Sequence, residues 1–126
     1  MTKYARTRIV TEVSDASDYS RPKVHATEWT ETPDEFRLED EIEVATAGQT
    51  YYLEHLASLT QLRIKNTDTS NYVTATYTRV ATGTNIVRIA PGDEIVISGV
   101  DITTSGNLTL QANTAAVTVE ISYLGT

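Results

Sequence analysis

Apolar and polar residues alternate along most of the chain from residue 35 onward. Residues 116–124 (AVTVEISYL) set Val117, Val119, Ile121 and Tyr123 on one face of a predicted strand. This period of two is typical of a strand with one face buried and the other in water. The same pattern, bounded by turn residues, predicts further strands within residues 35–47, 50–56, 58–66, 72–80 and 108–112.

Residues 85–100 (NIVRIAPGDEIVISGV) predict a β-hairpin. Two runs of β-branched residues flank Ala90-Pro91-Gly92-Asp93. Proline presets φ at the second position of a tight turn, and glycine supplies the positive φ favoured at the third. The apolar face of this hairpin is predicted to consist of Val87, Ile89, Ile95 and Ile97.

Seven or eight strands are therefore expected in residues 35–126, with turn signals at the spacing of a sandwich or barrel. No stretch of helical period is evident, although a short helical turn is compatible with residues 54–58. The sequence predicts an all-β domain over residues 35–126.

Residues 1–34 differ from the rest because apolar residues are sparse and positive and negative charges nearly cancel. The stretch 14–22 (SDASDYSRP) has the composition of a loop. Residues 6–13 and 23–29 are candidates for short strands. We predict an extended N-terminal arm that becomes ordered against a partner or along its own domain.

The chain of 126 residues has a formal net charge of -7 and a pI near 4.7. This charge disfavours binding to nucleic acids and to anionic membranes. Cysteine is absent, which excludes disulfides, thiolate zinc sites and a cysteine nucleophile. No secretion signal or membrane-spanning apolar stretch is evident, and we expect synthesis in a cytoplasm.

Residues that could support catalysis are few. The chain has two histidines, His25 and His55, without a G-x-S-x-G nucleophile motif, a phosphate-binding loop or a set of zinc ligands. Both histidines are interpreted as surface or packing residues. We expect neither enzymatic activity nor a cofactor or metal ion.

The carboxylates Glu39, Asp40, Glu41 and Glu43 have two interpretations. They form a solvated face or edge that discourages strand aggregation, or they form a docking patch for a basic partner. Their spacing differs from that of a calcium-binding loop.

A separate hypothesis, a carbohydrate-binding module, rests on a platform of aromatic residues. Its candidate residues are Trp29, Tyr51, Tyr52, Tyr72 and Tyr77.

Three segments resemble a group of small virion proteins of tailed bacteriophages: LRIKNTDTSNYVTATY, IVRIAPGDEIVISGV and LTLQANTAAVTVEISYL. The resemblance covers residues 58–124. It consists of a strand ending in Lys-Asn, a Thr/Ser/Asn loop, a Pro-Gly-acid turn and a C-terminal strand with alternating valines.

The resemblance implies a β-sandwich or jelly roll with a structural role in the virion. A capsid decoration (cement) protein is the leading interpretation, and a tail, fibre or baseplate component is the alternative. The implied partners are the major capsid protein or other virion proteins, together with further copies of the chain, most simply in a homotrimer. The candidate contact residues are Arg6, Arg8, Ile9, Val10, Val24 and Trp29 in the arm and Glu39, Glu41 and Glu43 in the body.

Overall fold

A computed structural model describes residues 5–15, 18–31, 35–80, 83–98 and 107–125. The chain divides into two compact units, Met1–Pro33 and Asp34–Thr126. The described residues of both units form strands and connecting loops, without a helix. The predicted all-β class is therefore confirmed.

The first unit is an antiparallel pair of strands, β1 (Ala5–Asp15) and β2 (Asp18–Glu31). The register sets Ala5 opposite Glu31 and shifts between Val13 and Asp15. The sequence predicted separate strand-like segments within this region. The structure instead pairs them with each other, as their similar lengths and short connection permit.

The second unit is a sandwich of two four-stranded antiparallel sheets. Its strands are β3 (Glu35–Val44), β4 (Gln49–Tyr51), β5 (Leu59–Asn66), β6 (Val73–Arg79), β7 (Gly83–Ile89), β8 (Glu94–Ser98), β9 (Leu108–Ala112) and β10 (Val117–Gly125). One sheet has the order β3-β10-β5-β8 and the other β4-β9-β6-β7. This order is that of an eight-stranded jelly roll, in which successive strands alternate between the two sheets except for β6 and β7, which pair within one sheet.

The core lies between the two sheets and follows the predicted alternation. In β10, Val117, Val119, Ile121 and Tyr123 are buried, and the residues between them are partly exposed. Every strand of the sandwich contributes an apolar side chain to this core, for example Val44, Tyr51, Ile64, Val73, Ile89, Ile97, Leu110 and Val119. Burial of these aliphatic side chains is the main force that holds the sheets together.

The turn at residues 90–93 forms as predicted, but the predicted hairpin is wrong. The Asp93 N–H donates to the Ala90 carbonyl at 3.0 Å, and Gly92 has a φ of 76°. However, β7 pairs with β6 and β8 pairs with β5, so the two strands belong to different sheets. The turn carries the chain across the core, because the turn signal fixes a local reversal and leaves the pairing partner open.

The predicted strand over residues 50–56 is shorter than expected. β4 ends at Tyr51, and the following loop buries Leu53 and Leu56 without sheet pairing. A turn joins these leucines, since the Leu56 N–H donates to the Leu53 carbonyl at 3.0 Å. Their spacing of three residues suits this turn and does not fit a strand.

Candidate interaction surfaces

The outer face of the sheet β3-β10-β5-β8 carries a row of four charges, one from each strand. Glu41 lies opposite Glu120, Glu120 opposite Lys65, and Lys65 opposite Glu94. We call these four residues the charged row. At its β8 end, Arg63 Nε lies 2.6 Å from Glu94 Oε2 in a partly exposed ion pair. Such surface pairs contribute at most about 1 kcal/mol.

The β3 end of the charged row is acidic. Glu41 and Glu120 are like charges directly across two strands, an arrangement that destabilises a sheet. Glu43 is exposed two residues further along β3, opposite Thr118. A basic partner placed over this corner would relieve the repulsion between Glu41 and Glu120, as a docking patch requires.

This corner contains two of the predicted contact residues. Glu41 and Glu43 lie together on the exposed face of β3, while the side chain of Glu39 lies outside the described residues. Sequence reasoning missed Glu120, which is 79 positions after Glu41. The alternation of β10 could have indicated that Glu120 faces outward, but only the strand register reveals its neighbour.

The predicted contact residues of the arm lie on β1 and β2. Arg6 and Arg8 are exposed on β1. The register sets Trp29 opposite Thr7, Ile9 opposite Thr27, Val10 opposite Ala26 and Val24 opposite Glu12. The side chains of Ile9, Val10, Val24 and Trp29 lie outside the described residues. The structure therefore places these residues in one strand pair and leaves their contacts untested.

One end of the sandwich is built from four loops, residues 45–48, 67–72, 90–93 and 113–116. We call it the loop end. Asn66, fully buried at the end of β5, connects two of these loops, residues 67–72 and 90–93. Its Nδ2 donates to the carbonyls of Asn71 at 2.9 Å and Ile89 at 3.1 Å, and its Oδ1 accepts the Asp68 N–H at 2.9 Å.

The backbone of Asn66 also binds the turn at residues 90–93. Its N–H donates to the Asp93 carbonyl at 2.9 Å, and its carbonyl accepts the Gly92 N–H at 3.0 Å. A further bond from Thr114 Oγ1 to Asn71 Oδ1, at 2.7 Å, joins the loop 113–116. Side-chain and backbone hydrogen bonds thus hold the loops of the loop end together.

Asp68 shapes the loop 67–72 through its carboxylate. Its Oδ1 accepts the backbone N–H groups of Ser70 at 2.7 Å and Asn71 at 3.2 Å. The backbone hydrogen bond from Ser70, followed by that from Asn71, lowers the pKa of Asp68 below its ordinary value of 3.8. The charged form is therefore favoured in the folded protein.

Substitution Asp68→Asn is expected to flatten the acid limb of the stability curve. Because the folded pKa is lower than the unfolded one, the carboxylate contributes stability above the ordinary pKa of 3.8 that is lost as the pH falls below it. The difference in free energy of unfolding between wild type and Asp68→Asn should therefore shrink as the pH is lowered below 3.8. Urea unfolding at a series of pH values measures it, and parallel curves for the two proteins would contradict the assignment.

A cluster of aromatic side chains lies near the end of the sandwich opposite the loop end. The buried ring of Tyr123 packs edge-on against Tyr51 and His55, with centroids 6.4 and 5.9 Å away. Tyr123 Oη lies 3.1 Å from His55 Nε2, and Tyr51 donates to Asp40 Oδ2 at 2.8 Å. The bond from Tyr51 to Asp40 ties the two sheets together. This cluster packs within the sandwich.

The structure disperses the described tyrosines of the carbohydrate hypothesis. Tyr51 and Tyr77 pack against the core, and Tyr72 lies beneath the guanidinium of Arg88, 4.1 Å from its ring centroid. Tyr52 is the one with a mostly exposed ring, 62% accessible. The side chains of Trp29 and His25 lie outside the described residues.

Across the described ranges, no group of three His, Asp or Glu side chains is arranged to hold a metal ion. The same ranges contain no apolar helix of the length needed to cross a membrane.

The fold and these surfaces define an all-β protein, a jelly-roll sandwich accompanied by a separate pair of strands. Comparison of the chain with protein-family models, with curated proteins and with solved structures finds no match. A proposal for its function therefore rests on the physical features of the chain itself.

Proposed function

We propose that this protein is a structural component of a tailed-phage virion, most simply a capsid decoration protein that acts by binding other virion proteins. The jelly-roll strand order of the sandwich carries the proposal, because this architecture recurs in capsid proteins as a rigid, cofactor-free scaffold.

The strand pair β1–β2 supports the binding role. It forms a compact unit distinct from the sandwich. A pair of strands by itself is at best marginally stable in water, because it buries little apolar surface. Contact with a neighbouring virion protein, such as the major capsid protein, would supply the missing surface. Arg6 and Arg8, exposed on β1, are candidates for this contact.

The acidic corner at the β3 end of the charged row, formed by Glu41 and Glu120 together with Glu43, is the second proposed contact. Beside a positively charged partner surface, these carboxylates gain favourable interactions in place of mutual repulsion. Contacts of this type fix orientation and raise the rate of association. The arm and the corner together would hold one protein against the particle, and a homotrimer would repeat these contacts three times.

The test is decoration of particles of the phage that encodes this chain, prepared without the protein and supplied with purified variants. Bound protein per particle is measured after sedimentation. Deletion of residues 1–33 should reduce occupancy at least about tenfold, and Glu41→Lys with Glu43→Lys should reduce it by a smaller factor. Thr109→Lys, an exposed change on the opposite sheet, is the matched control.

Full occupancy by the deletion variant would contradict the role of the arm. Absence of the wild-type protein from purified particles would contradict the virion role altogether. Hundreds of copies per particle indicate decoration of the head, whereas a handful indicate a tail or baseplate position. Circular dichroism of each variant checks that the sandwich remains folded.

A further inference from the structure

β7 lies at the edge of its sheet and pairs with β6 alone among the described strands. An edge strand exposes a row of unpaired backbone N–H and C=O groups, which can pair with another chain. Proteins commonly protect such edges with charged side chains or by keeping the strand short. The four edge strands of this sandwich, β3, β4, β7 and β8, differ in this respect.

Three of these edges are protected. β3 carries the exposed carboxylates Glu41 and Glu43, and β4 has three residues. β8 has five residues and begins with Glu94, which is paired to Arg63. Each of these three edges is therefore a poor template for pairing with another chain, because it is charged or short.

β7 lacks this protection. Its seven residues include one charged side chain, Arg88. The exposed guanidinium of Arg88 lies 4.1 Å from the ring centroid of Tyr72, which precedes β6, so this charge is stacked on the side of the neighbouring strand. Ile86, at the centre of β7, is 70% exposed. An exposed aliphatic side chain in the middle of an edge strand with one charged residue favours association.

The charge distribution favours a second copy of this chain as the occupant. The chain contains 17 Asp and Glu residues, yet residues 69–92 contain none. The β6–β7 region is therefore where two copies of an acidic protein repel each other least. Arg79 and Arg88, the arginines of these two strands, both lie over tyrosine rings.

The register of such a pair follows from strand geometry. Outward-directed backbone groups alternate along a strand, so a two-fold antiparallel pairing must be centred on one residue. Full overlap of Gly83–Ile89 centres it on Ile86. Ile86 then meets its own symmetry mate, and Arg88 lies opposite Thr84 of the second copy. No like charges are opposed, and the two exposed isoleucines cover each other.

We infer that β7 mediates two-fold pairing of this protein, joining two β4-β9-β6-β7 sheets into one sheet of eight strands. A seven-residue strand pair is about 24 Å long and buries less than the roughly 1,200 Å² of a stable complex. The isolated dimer is therefore weak and gains population where many copies are concentrated. The pairing leaves β3, β4 and β8 free, so it can join trimers formed through another surface.

Cysteine cross-linking tests the register, because the chain has no native cysteine. Directly opposite residues have Cα atoms about 4.5–5.5 Å apart, within disulfide range. Ile86→Cys should form a covalent dimer rapidly under mild oxidation. Thr84→Cys alone should not, but should cross-link when mixed with Arg88→Cys. Val96→Cys, a partly exposed position on β8, is the control for collisional cross-linking.

Sedimentation velocity of the full-length protein tests the affinity. Wild type should dimerise reversibly at concentrations up to about 1 mM, and Ile86→Lys should raise the Kd at least about tenfold. Equal cross-linking of Ile86→Cys and Val96→Cys would overturn the inference. So would a protein that stays monomeric at the highest concentration, or one whose largest species is a trimer. None of these results depends on a role in a virion.

Discussion

Substitution Asn66→Ala is expected to lower the free energy of unfolding by about 3–4 kcal/mol. The change removes three side-chain hydrogen bonds at a fully buried position. It leaves the carbonyls of Asn71 and Ile89 and the N–H of Asp68 without these partners. A buried polar group that loses its partner costs about 1–3 kcal/mol. The bond to Ile89 is buried and those to Asn71 and Asp68 are part-buried, so water and local relaxation recover part of the sum. Urea unfolding followed by circular dichroism measures the loss.

The matched control is Gln111→Ala. Gln111 is exposed, and its Nε2 donates to the Thr46 carbonyl at 2.9 Å, also at the loop end. Water replaces this bond when the amide is removed, so we expect a loss of about 0.5–1 kcal/mol. A loss for Asn66→Ala no larger than that of Gln111→Ala would show that the loop end does not depend on the Asn66 side chain.

Substitution Gly125→Ala is expected to cost about 2 kcal/mol through overpacking. A Cβ atom at Gly125 would lie 2.5 Å from the Ser58 carbonyl oxygen and 3.3 Å from a methyl carbon of Leu56. The carbonyl belongs to the backbone, so it cannot rotate away as a side chain would. Overpacking of this kind costs about 1–3 kcal/mol. Thermal or urea unfolding of the variant provides the measurement.

Gly83→Ala separates steric overlap from backbone strain. Gly83 has a φ of 76°, and a Cβ there would meet nothing within 4 Å. Its substitution should therefore cost only the strain of a left-handed conformation, about 1 kcal/mol. If Gly83→Ala proves more damaging than Gly125→Ala, the close approach of β10 to the loop 52–58 is not a constraint on stability.

The strands of the sandwich could be predicted because their alternation is a local property. The alternation from Val117 to Tyr123 predicts a strand with one buried face, and the apolar residues of that face lie in the core. The turn at Gly92 was equally readable. The pairing of β7 and β8 with different sheets was not, because neighbouring turns carry no information about which sheet a strand joins.

The candidate surfaces depend on contacts between distant segments, which local patterns in a sequence do not reveal. Glu41 was identified from its local cluster, but its neighbour Glu120 becomes visible only through the register of β3 with β10. Asn66 looked like the polar end of a strand. Its burial arises from the loops 67–72 and 90–93 that close over it.

The position of β10 between β3 and β5 has a consequence for biosynthesis. Among the described strands, β3 is hydrogen-bonded to β10 alone, and Val44 pairs with Val117. A ribosome must therefore deliver the chain through Gly125 before this sheet can close. Until then β3 lacks the strand with which it pairs. Folding is expected to follow translation of the domain, at the slow rates typical of long-range β pairing.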